Sequence, residues 1–509
     1  MFCTSSAAAC AMRLARADAW GMVHAIAMEK GGNPLVKHTF IGAAALAMAA
    51  ANPAHAAPEP GEAQFRAIYK ELVETNTTVS TGSCTLAAER MAAHLKAAGY
   101  ADSQITLFSV PDHPKEGGVV AVLPGASKTA KPILLLAHLD VVEAKRADWE
   151  RDPFTLIEEG GYFYGRGTAD DKSMAAIWVD TMVRLKAAKP LKRTVKLALT
   201  CGEETTWAFN GAQWLAQNKR DLIDAEFALN EGGGGDTDGK GLSEGGKLVN
   251  QSIQVGEKAV QNYRLETRNP GGHSSIPVRD NAIYELADAL ARLRDHEFPA
   301  EMSDTTRAFF AKAGAARGDA MGKAMQALAA NPIGSPAFVE AEKLVNTDRT
   351  YHSKLRTTCV ATLLDGGHAN NALPQRAGAN VNCRIFPGHS PEEIQAALQK
   401  IAADPGVAIT MVPPQRPLAK APALDPAIIG PMEKLSARYF PGVPVVPDMS
   451  TGATDGIFLE AVGIPTYGVP GPWGNPDGNG VHGLNERIEV RSLLTGRAYL
   501  YDLVQAFAR

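Results

Sequence analysis

Three short apolar runs, residues 133–137, 194–201 and 225–229, each lead directly into side chains that bind cations: His138-Leu139-Asp140, Cys201-Gly202-Glu203-Glu204 and Asn230-Glu231. Runs of this length, separated by helical periodicity, predict the strands of an α/β layer built on a mostly parallel sheet. Between the first two, residues 172–186 place Met174, Ile177, Trp178, Met182 and Leu185 on one helical face, a core-packing pattern. Asp170-Asp171 opens that helix. In open α/β sheets, sites form outside the carboxyl ends of the strands, so side chains far apart in sequence converge there. A lone carboxylate at a strand end is ordinarily a cap or a surface charge. Several consecutive strands ending this way, one of them in His-x-Asp, predict a shared site.

From about residue 261 the pattern changes. A strand at 262–267 is followed by a helix phased on Ile283, Leu286, Leu290 and Leu293, and then, after an insertion, by strands at 357–364 and 378–385. Ser390-Pro391-Glu392-Glu393 is a capping box with proline at the first helical position, and a strand at 407–411 closes the set. The order βαββαβ is ferredoxin-like. Residues from about 415 return to α/β character and end in a helix near 490–507. The division expected is a catalytic domain in two parts, 57–256 and 415–509, around an inserted α+β lid or dimerisation domain at 257–414. A chain of 509 residues, 45% hydrophobic and 21% charged, has the length and the apolar content for such a core. Its net charge of −4 offers no basic field for nucleic acid.

Residues 1–56 read as a leader. Lys30 and Lys37 precede an apolar run from 39 to 51, and Ala54-His55-Ala56 is a small-x-small cleavage site, so export to a periplasmic or extracellular space is expected, with translation starting at Met28 or from a longer leader. The run is shorter than the roughly 20 residues a bilayer requires, so no stable membrane insertion is expected. Cys84, Cys201, Cys359 and Cys383 remain after cleavage and lack the spacing of a thiolate zinc site or redox pair. Cys359 and Cys383 fall on adjacent predicted strands and can bridge only if the register sets them opposite each other.

Histidine and carboxylates without thiolates suit Zn²⁺, with Co²⁺ or Mn²⁺ as substitutes. The candidates outnumber the ligands of one open zinc, whereas two metals sharing a carboxylate and a water would use them, with an unligated carboxylate as general base. Chemistry alone leaves open which of Glu203 and Glu204 is ligand and which is base.

The stretches LLLAHLDVV, GYFYGRGTADDKS, TCGEET, ALNEGGG, NPGGHSSIP, HANNALPQ, VNCRIFPG and GVHGLNE follow one another from about residue 60 to the end. Together they resemble the dizinc metallopeptidase family of aminoacylase, carboxypeptidase S, glutamate carboxypeptidase, acetylornithine deacetylase and succinyl-diaminopimelate desuccinylase. The long insertion at about 297–355 is most similar to the carboxypeptidase S branch. The resemblance implies two Zn²⁺, one on His138 and Glu231, the other on Glu204 and His482, bridged by Asp170. It implies that Asp140 fixes the tautomer of His138, that Glu203 is the general base, and that His273 stabilises the oxyanion, often in a partner subunit of a homodimer formed through the lid. It also implies that Asn371 assists His273 in substrate binding, and that Arg384, with Thr451 and Gly452, holds a substrate carboxylate. The activity implied is hydrolysis of dipeptides, C-terminal residues or N-acyl amino acids bearing a free carboxylate. A non-catalytic peptide- or small-molecule-binding protein that kept the fold is the competing reading, and a complete ligand and base set argues against it.

Plainer expectations attach to the remaining features. Asp171 is expected to be a solvated or capping carboxylate, Gly232 to Gly235 a flexible wall of the site, and His113, His352, His368 and His389 solvated loop residues.

Overall fold

The strand Ile133–His138 pairs in parallel with Val195–Thr200 on one side and Phe227–Asn230 on the other, so the three ligand-bearing strand ends point the same way. These coordinates, a computed structural model, describe residues 59–205, 209–415 and 417–509. The leader and its cleavage site lie outside the described residues. Among the described residues, no helix is long and apolar enough to cross a membrane.

The sheet runs in the order Ile105–Val110, His113–Leu123, Val195–Thr200, Ile133–His138, Phe227–Asn230, Thr466–Gly468, Leu248–Glu257, Val445–Ser450, with Gly234–Thr237 also paired to Leu248–Glu257. Its middle lanes are parallel, and antiparallel pairing occurs at the His113–Leu123 flank and where Thr466–Gly468 meets Leu248–Glu257. Both faces are apolar, as buried parallel strands require. Leu135, Leu197 and Leu199 pack with helices Glu62–Val73, Cys84–Ala97, Lys172–Ala187 and Val490–Ala508, while Leu134, Leu136 and Ala198 face Gly211–Asn218 and Gly456–Ala461.

Lys172–Ala187 is buried on more than the one face its periodicity predicts, with every residue from Lys172 to Val183 inaccessible. Neighbouring helices cover the second face, where small residues alternate with Asp180. That carboxylate is neutralised by Arg497, whose Nε lies 2.8 Å from it.

Ala259–Arg268, helix Ala282–Asp295, Thr358–Gly366, Arg376–Ile385, helix Pro391–Ala402 and Ala408–Val412 form an inserted unit in the order βαββαβ. Its antiparallel sheet runs Thr358–Gly366, Arg376–Ile385, Ala259–Arg268, Ala408–Val412. Tyr263, Leu265, Leu286, Val381 and Leu398 form its own core. The alternate positions are polar: Asn262 Oδ1 accepts from Asn380 and Asn382 at 3.2 and 2.9 Å, and Arg384 continues that row. The insertion before the second strand is four helices, Asp304–Arg317, Ala320–Ala330, Pro336–Val345 and Arg349–Lys354, around Phe310, Met325 and Phe338. The first of these packs on Val445–Ser450 of the large sheet.

Among the described residues, two disulfides tie the fold. Cys359 and Cys383 are directly opposite in register and bridged, with Cα atoms 4.1 Å apart, the close approach of a cross-strand pair. The second, Cys84–Cys201, joins the start of a helix to the end of a central strand and has no signal in the cysteine spacing.

Candidate metal centre

Asp170 has one carboxylate oxygen towards each of two histidines: Oδ1 is 3.1 Å from Nε2 of His138, and Oδ2 is 3.2 Å from Nε2 of His482. Glu231 Oε2 lies 3.8 Å from the same nitrogen of His138, and Glu204 Oε2 lies 2.9 Å from that of His482. The five expected ligands therefore fall into two sets of three that share Asp170, which is the layout of a carboxylate-bridged pair. The two glutamates of the Cys201-Gly202-Glu203-Glu204 turn divide as well. Glu204 joins His482 and also offers a ligand-type atom within 4.8 Å of His138 and Asp170, whereas Glu203 groups with His138 and Glu231 at the same limit.

Asp140 acts differently from the expectation. Nδ1 of His138 lies 3.0 Å from the Asp140 backbone oxygen, while the nearer carboxylate oxygen is 3.6 Å away, beyond a hydrogen bond. The carbonyl thus sets the tautomer that leaves Nε2 for a cation. The carboxylate instead accepts the N–H groups of Glu203 and Glu204 at 3.3 and 3.0 Å and fixes the turn that carries both.

Two further residues, absent from the expected set, hold the bridge. Glu486 accepts N–H groups from Gly167, Ala169 and Asp170 at 3.0, 2.8 and 3.0 Å and pairs with Arg166 Nη1 at 2.7 Å, with both side chains buried. It clamps the loop before Asp170 to the segment that carries His482. Lys172 is fully buried beneath them, its Nζ donating to Thr75 O at 2.8 Å, and burial depresses its pKa to about 7. The sequence did hold a signal, because Arg166 and Glu486 stand inside GYFYGRGTADDKS and GVHGLNE.

Asp171 is not solvated. It is 3% exposed, its side chain makes no cap although it precedes the helix, and its Oδ2 has no hydrogen-bond partner. The burial that helix packing imposes pushes its carboxyl up, and burial does the same to Glu203 and Glu231, with His138 opposing in each case. Burial lowers the His138 ring, but Glu231, Asp140 and Asp170 outweigh it and hold it high. His482 is raised to about 10 by its bonds to Asp170 and Glu204. The cluster is thus short of positive charge, and its donors are imidazole and carboxylate throughout, which fits two divalent cations of the zinc or manganese type. Cys84 and Cys201 also approach Asp140, but both sulfurs are committed to the disulfide.

Beside Asp170 and Glu231 opens a cleft of about 800 Å³, walled by Gly232 to Gly235, Met174, Trp473, Val481 and Ile488. The glycine wall is more ordered than expected, because Gly234–Thr237 is a strand on Leu248–Glu257. The remaining candidates lie elsewhere. His273 and Asn371 meet on a small exposed ribbon of the inserted unit, where Gly272–His273 pairs with Ala372–Leu373 and Ser274 N donates to Asn371 O at 3.1 Å. Nδ1 of His273 lies 2.7 Å from Ser275 Oγ. Arg384 lies on the polar row of the inserted sheet with Nε donating to Asn382 at 3.3 Å. Thr451 and Gly452 follow strand Val445–Ser450, in a turn where Gly452 N donates to Ser450 Oγ at 3.0 Å.

Of the four histidines expected to be solvated, three have carboxylate neighbours. His113 Nδ1 lies 3.1 Å from Glu116, and its ring stacks on Phe209. His389 is 2.7 Å from Glu301, and His352, on a helix, is 3.5 Å from Glu297. His368 is exposed, as expected.

Residues 134–506 match the family described as Peptidase family M20/M25/M40. N-fatty-acyl-amino acid synthase/hydrolase PM20D1 of Homo sapiens is 28% identical over 391 residues, 75% of each chain. Probable carboxypeptidase S-like 2 of Dictyostelium discoideum is 27% identical over 397 residues, 75% of this chain and 72% of that one. The M20 family metallo-carboxypeptidase Sso-CP2 from Sulfolobus solfataricus superposes with a TM-score of 0.64 at 19% identity, covering 87% of this chain and 99% of its own, a likeness of fold. With the site geometry, the match over residues 134–506 establishes that this chain belongs to peptidase family M20/M25/M40 and is an amide hydrolase of that family.

Proposed function

We propose that the protein is an exported hydrolase holding two Zn²⁺, which cleaves dipeptides, C-terminal residues or N-acyl amino acids with a free carboxylate. The observation that carries this reading is Asp170, with one oxygen towards each histidine and Glu203 beside them. When bound, the metal pair polarises the scissile carbonyl and acidifies the attacking water. Glu203 takes the proton of that water on its carboxylate and returns it to the leaving amine. Asp140 and Glu486 hold the two turns in place, so that little reorganisation is needed as charge develops.

The acyl or N-terminal part of the substrate would occupy the cleft of about 800 Å³ beside Glu231. Similarity to an N-fatty-acyl-amino acid hydrolase and to a carboxypeptidase S-like protein supports this substrate range. Arg384, assisted by Thr451 and Gly452, would grip the carboxylate of the leaving half through a bidentate fork, with Asn371 beside His273. His273 would serve the centre of a second copy, donating to the oxyanion. In support, it is exposed, and the edge strand Thr358–Gly366 beside it leaves Val360, Leu363 and Leu364 60–73% accessible, an unpaired edge suited to a homodimer. Release of residues 1–56 would give a mature protein beginning at Ala57, readable by N-terminal sequencing of exported material.

The deciding experiment compares acid and amide substrates on metal-loaded protein. Loss of a charged hydrogen-bond partner costs about 1.5–3 kcal/mol, or roughly 10–150-fold in kcat/KM. Dipeptides and N-acyl amino acids should therefore outpace their C-terminal amides by that factor, and Arg384→Ala should erase the difference. Equal wild-type rates on acids and amides would refute the substrate class, and an inert metal-loaded protein would refute the function.

A further inference from the structure

Cys201-Gly202-Glu203-Glu204 opens a loop that ends at Asn210, the cap of helix Gly211–Asn218. Asp455 bridges Thr200 and Asn210, on either side of that stretch. Its Oδ2 accepts from Thr200 Oγ1 at 2.9 Å, at the last residue of the strand before the loop. Its Oδ1 accepts from Asn210 Nδ2 at 2.6 Å. The same Asn210 nitrogen also lies 3.1 Å from Gly202 O, and Gly211 N donates to Cys201 O at 2.7 Å, so the loop is drawn shut at its base. Asp455 is 2% exposed and Thr200 fully buried. Both hydrogen-bond donors are neutral. A carboxylate taken out of water and hydrogen-bonded to neutral donors costs several kcal/mol, which apolar packing would avoid, so its presence here calls for a role beyond filling the core.

The other face of the Glu203-Glu204 turn is held by Asp140 through the two N–H groups. Asp140 thus fixes the turn from the side of the first strand, and Asp455 fixes its ends from the helix Gly456–Ala461. Just ahead of Asp455 in the chain, Thr454 Oγ1 donates to Glu257 at 2.8 Å, at the point where the chain leaves the large sheet for the inserted unit.

We propose that Asp455 is a positioning residue for the hydrolytic step: by tying Thr200 to Asn210 it fixes the Cys201-Gly202-Glu203-Glu204 turn so that Glu203 meets the attacking water. The inference rests on the reading of Glu203 as the base. A base displaced by about 1 Å costs on the order of 10²-fold in rate, because the step requires near-contact geometry.

The test uses the full-length, metal-loaded enzyme. Asp455→Ala should lower kcat about 10–100-fold, leaving KM within about twofold and two metals per chain by elemental analysis. Asp455→Asn keeps an acceptor for Asn210 and presents an N–H₂ that Thr200 Oγ1 can accept, so it should retain kcat to within about fivefold, a rescue that mere loss of core packing would not show. Asp455→Ala with wild-type kcat overturns the proposal. So does an effect confined to KM or to metal content. Glu203→Gln separates the two readings: if it is inactive while Asp455→Ala is fully active, this inference alone fails, and if it is fully active, the base assignment fails first. If Asp455→Ala does not fold, Thr200→Val, which cuts one tie at constant volume, gives the same reading. A fall of about 3–10-fold in kcat then supports the proposal, and no change overturns it.

Discussion

His482 and Asp170 stand 3.2 Å apart although the whole inserted unit lies between them in sequence. With Glu204 at 2.9 Å, His482 completes the second ligand set, and it is the most exposed member, on a backbone with φ of 59°. His482→Ala should therefore strip one metal and leave the other. The second affinity should weaken by more than the 10–100-fold typical of losing a mere supporting partner, about two orders or beyond. Elemental analysis after dialysis should give close to one metal per chain; two retained would remove His482 from the ligand set.

Glu486 has a different failure mode. Glu486→Ala leaves Arg166 buried without its carboxylate and frees three N–H groups ahead of Asp170. Removing one partner of a buried pair costs about 3–5 kcal/mol. Urea unfolding of the metal-free protein should show a loss of that size, and a change under 1 kcal/mol, about the value of an exposed pair, would show that the pair is not strained by its burial.

The disulfides should rank by the loops they close, with sequence separations of 117 for Cys84–Cys201 and 24 for Cys359–Cys383. Chain entropy gives about 4–5 kcal/mol for the first and about 3–4 for the second. Double alanine variants compared by denaturant midpoint should keep that order. The reverse order would mean that native packing, and not the unfolded chain, sets their worth.

Lys258 is fully buried where Leu248–Glu257 passes into Ala259–Arg268. Burial first, then Arg384, Lys354 and Arg356, depress its pKa to about 7, with Glu301 opposing. An unfolded lysine titrates near 10.4, so between about pH 7 and 10.4 the unfolded chain binds a proton that the folded one lacks. Stability from this group therefore rises with pH across that window, and the penalty is complete below it. Lys258→Met should stabilise the protein by at least about 1 kcal/mol near pH 6 and by progressively less towards about pH 10. An effect independent of pH would show that Lys258 is charged throughout.

Much of the centre was legible because each ligand lies at the end of a local pattern. His138, Glu204 and Glu231 follow apolar runs that could only be strands, and the parallel layer gathers strand ends on one side. What escaped notice depends on partners remote in sequence. The spacing of Cys84 and Cys201 says nothing of a strand end meeting a helix start. His113 and His389 read as loop residues because Glu116 with Phe209, and Glu301, become neighbours only when the strands and the inserted helices pack. Asp171 is buried because the helix it precedes is covered on more than one face, which a one-sided periodicity does not reveal.

Strand Thr466–Gly468 lies between Phe227–Asn230 and Leu248–Glu257, two strands made long before it. A chain synthesised from its N-terminus therefore carries an empty lane through the middle of its principal sheet until that segment emerges, while the inserted unit, whose pairings are all internal, has what it needs to fold first. His482 emerges later still. A chain that has reached neither segment therefore lacks both the central lane of its sheet and the imidazole that stands beside Asp170 and Glu204.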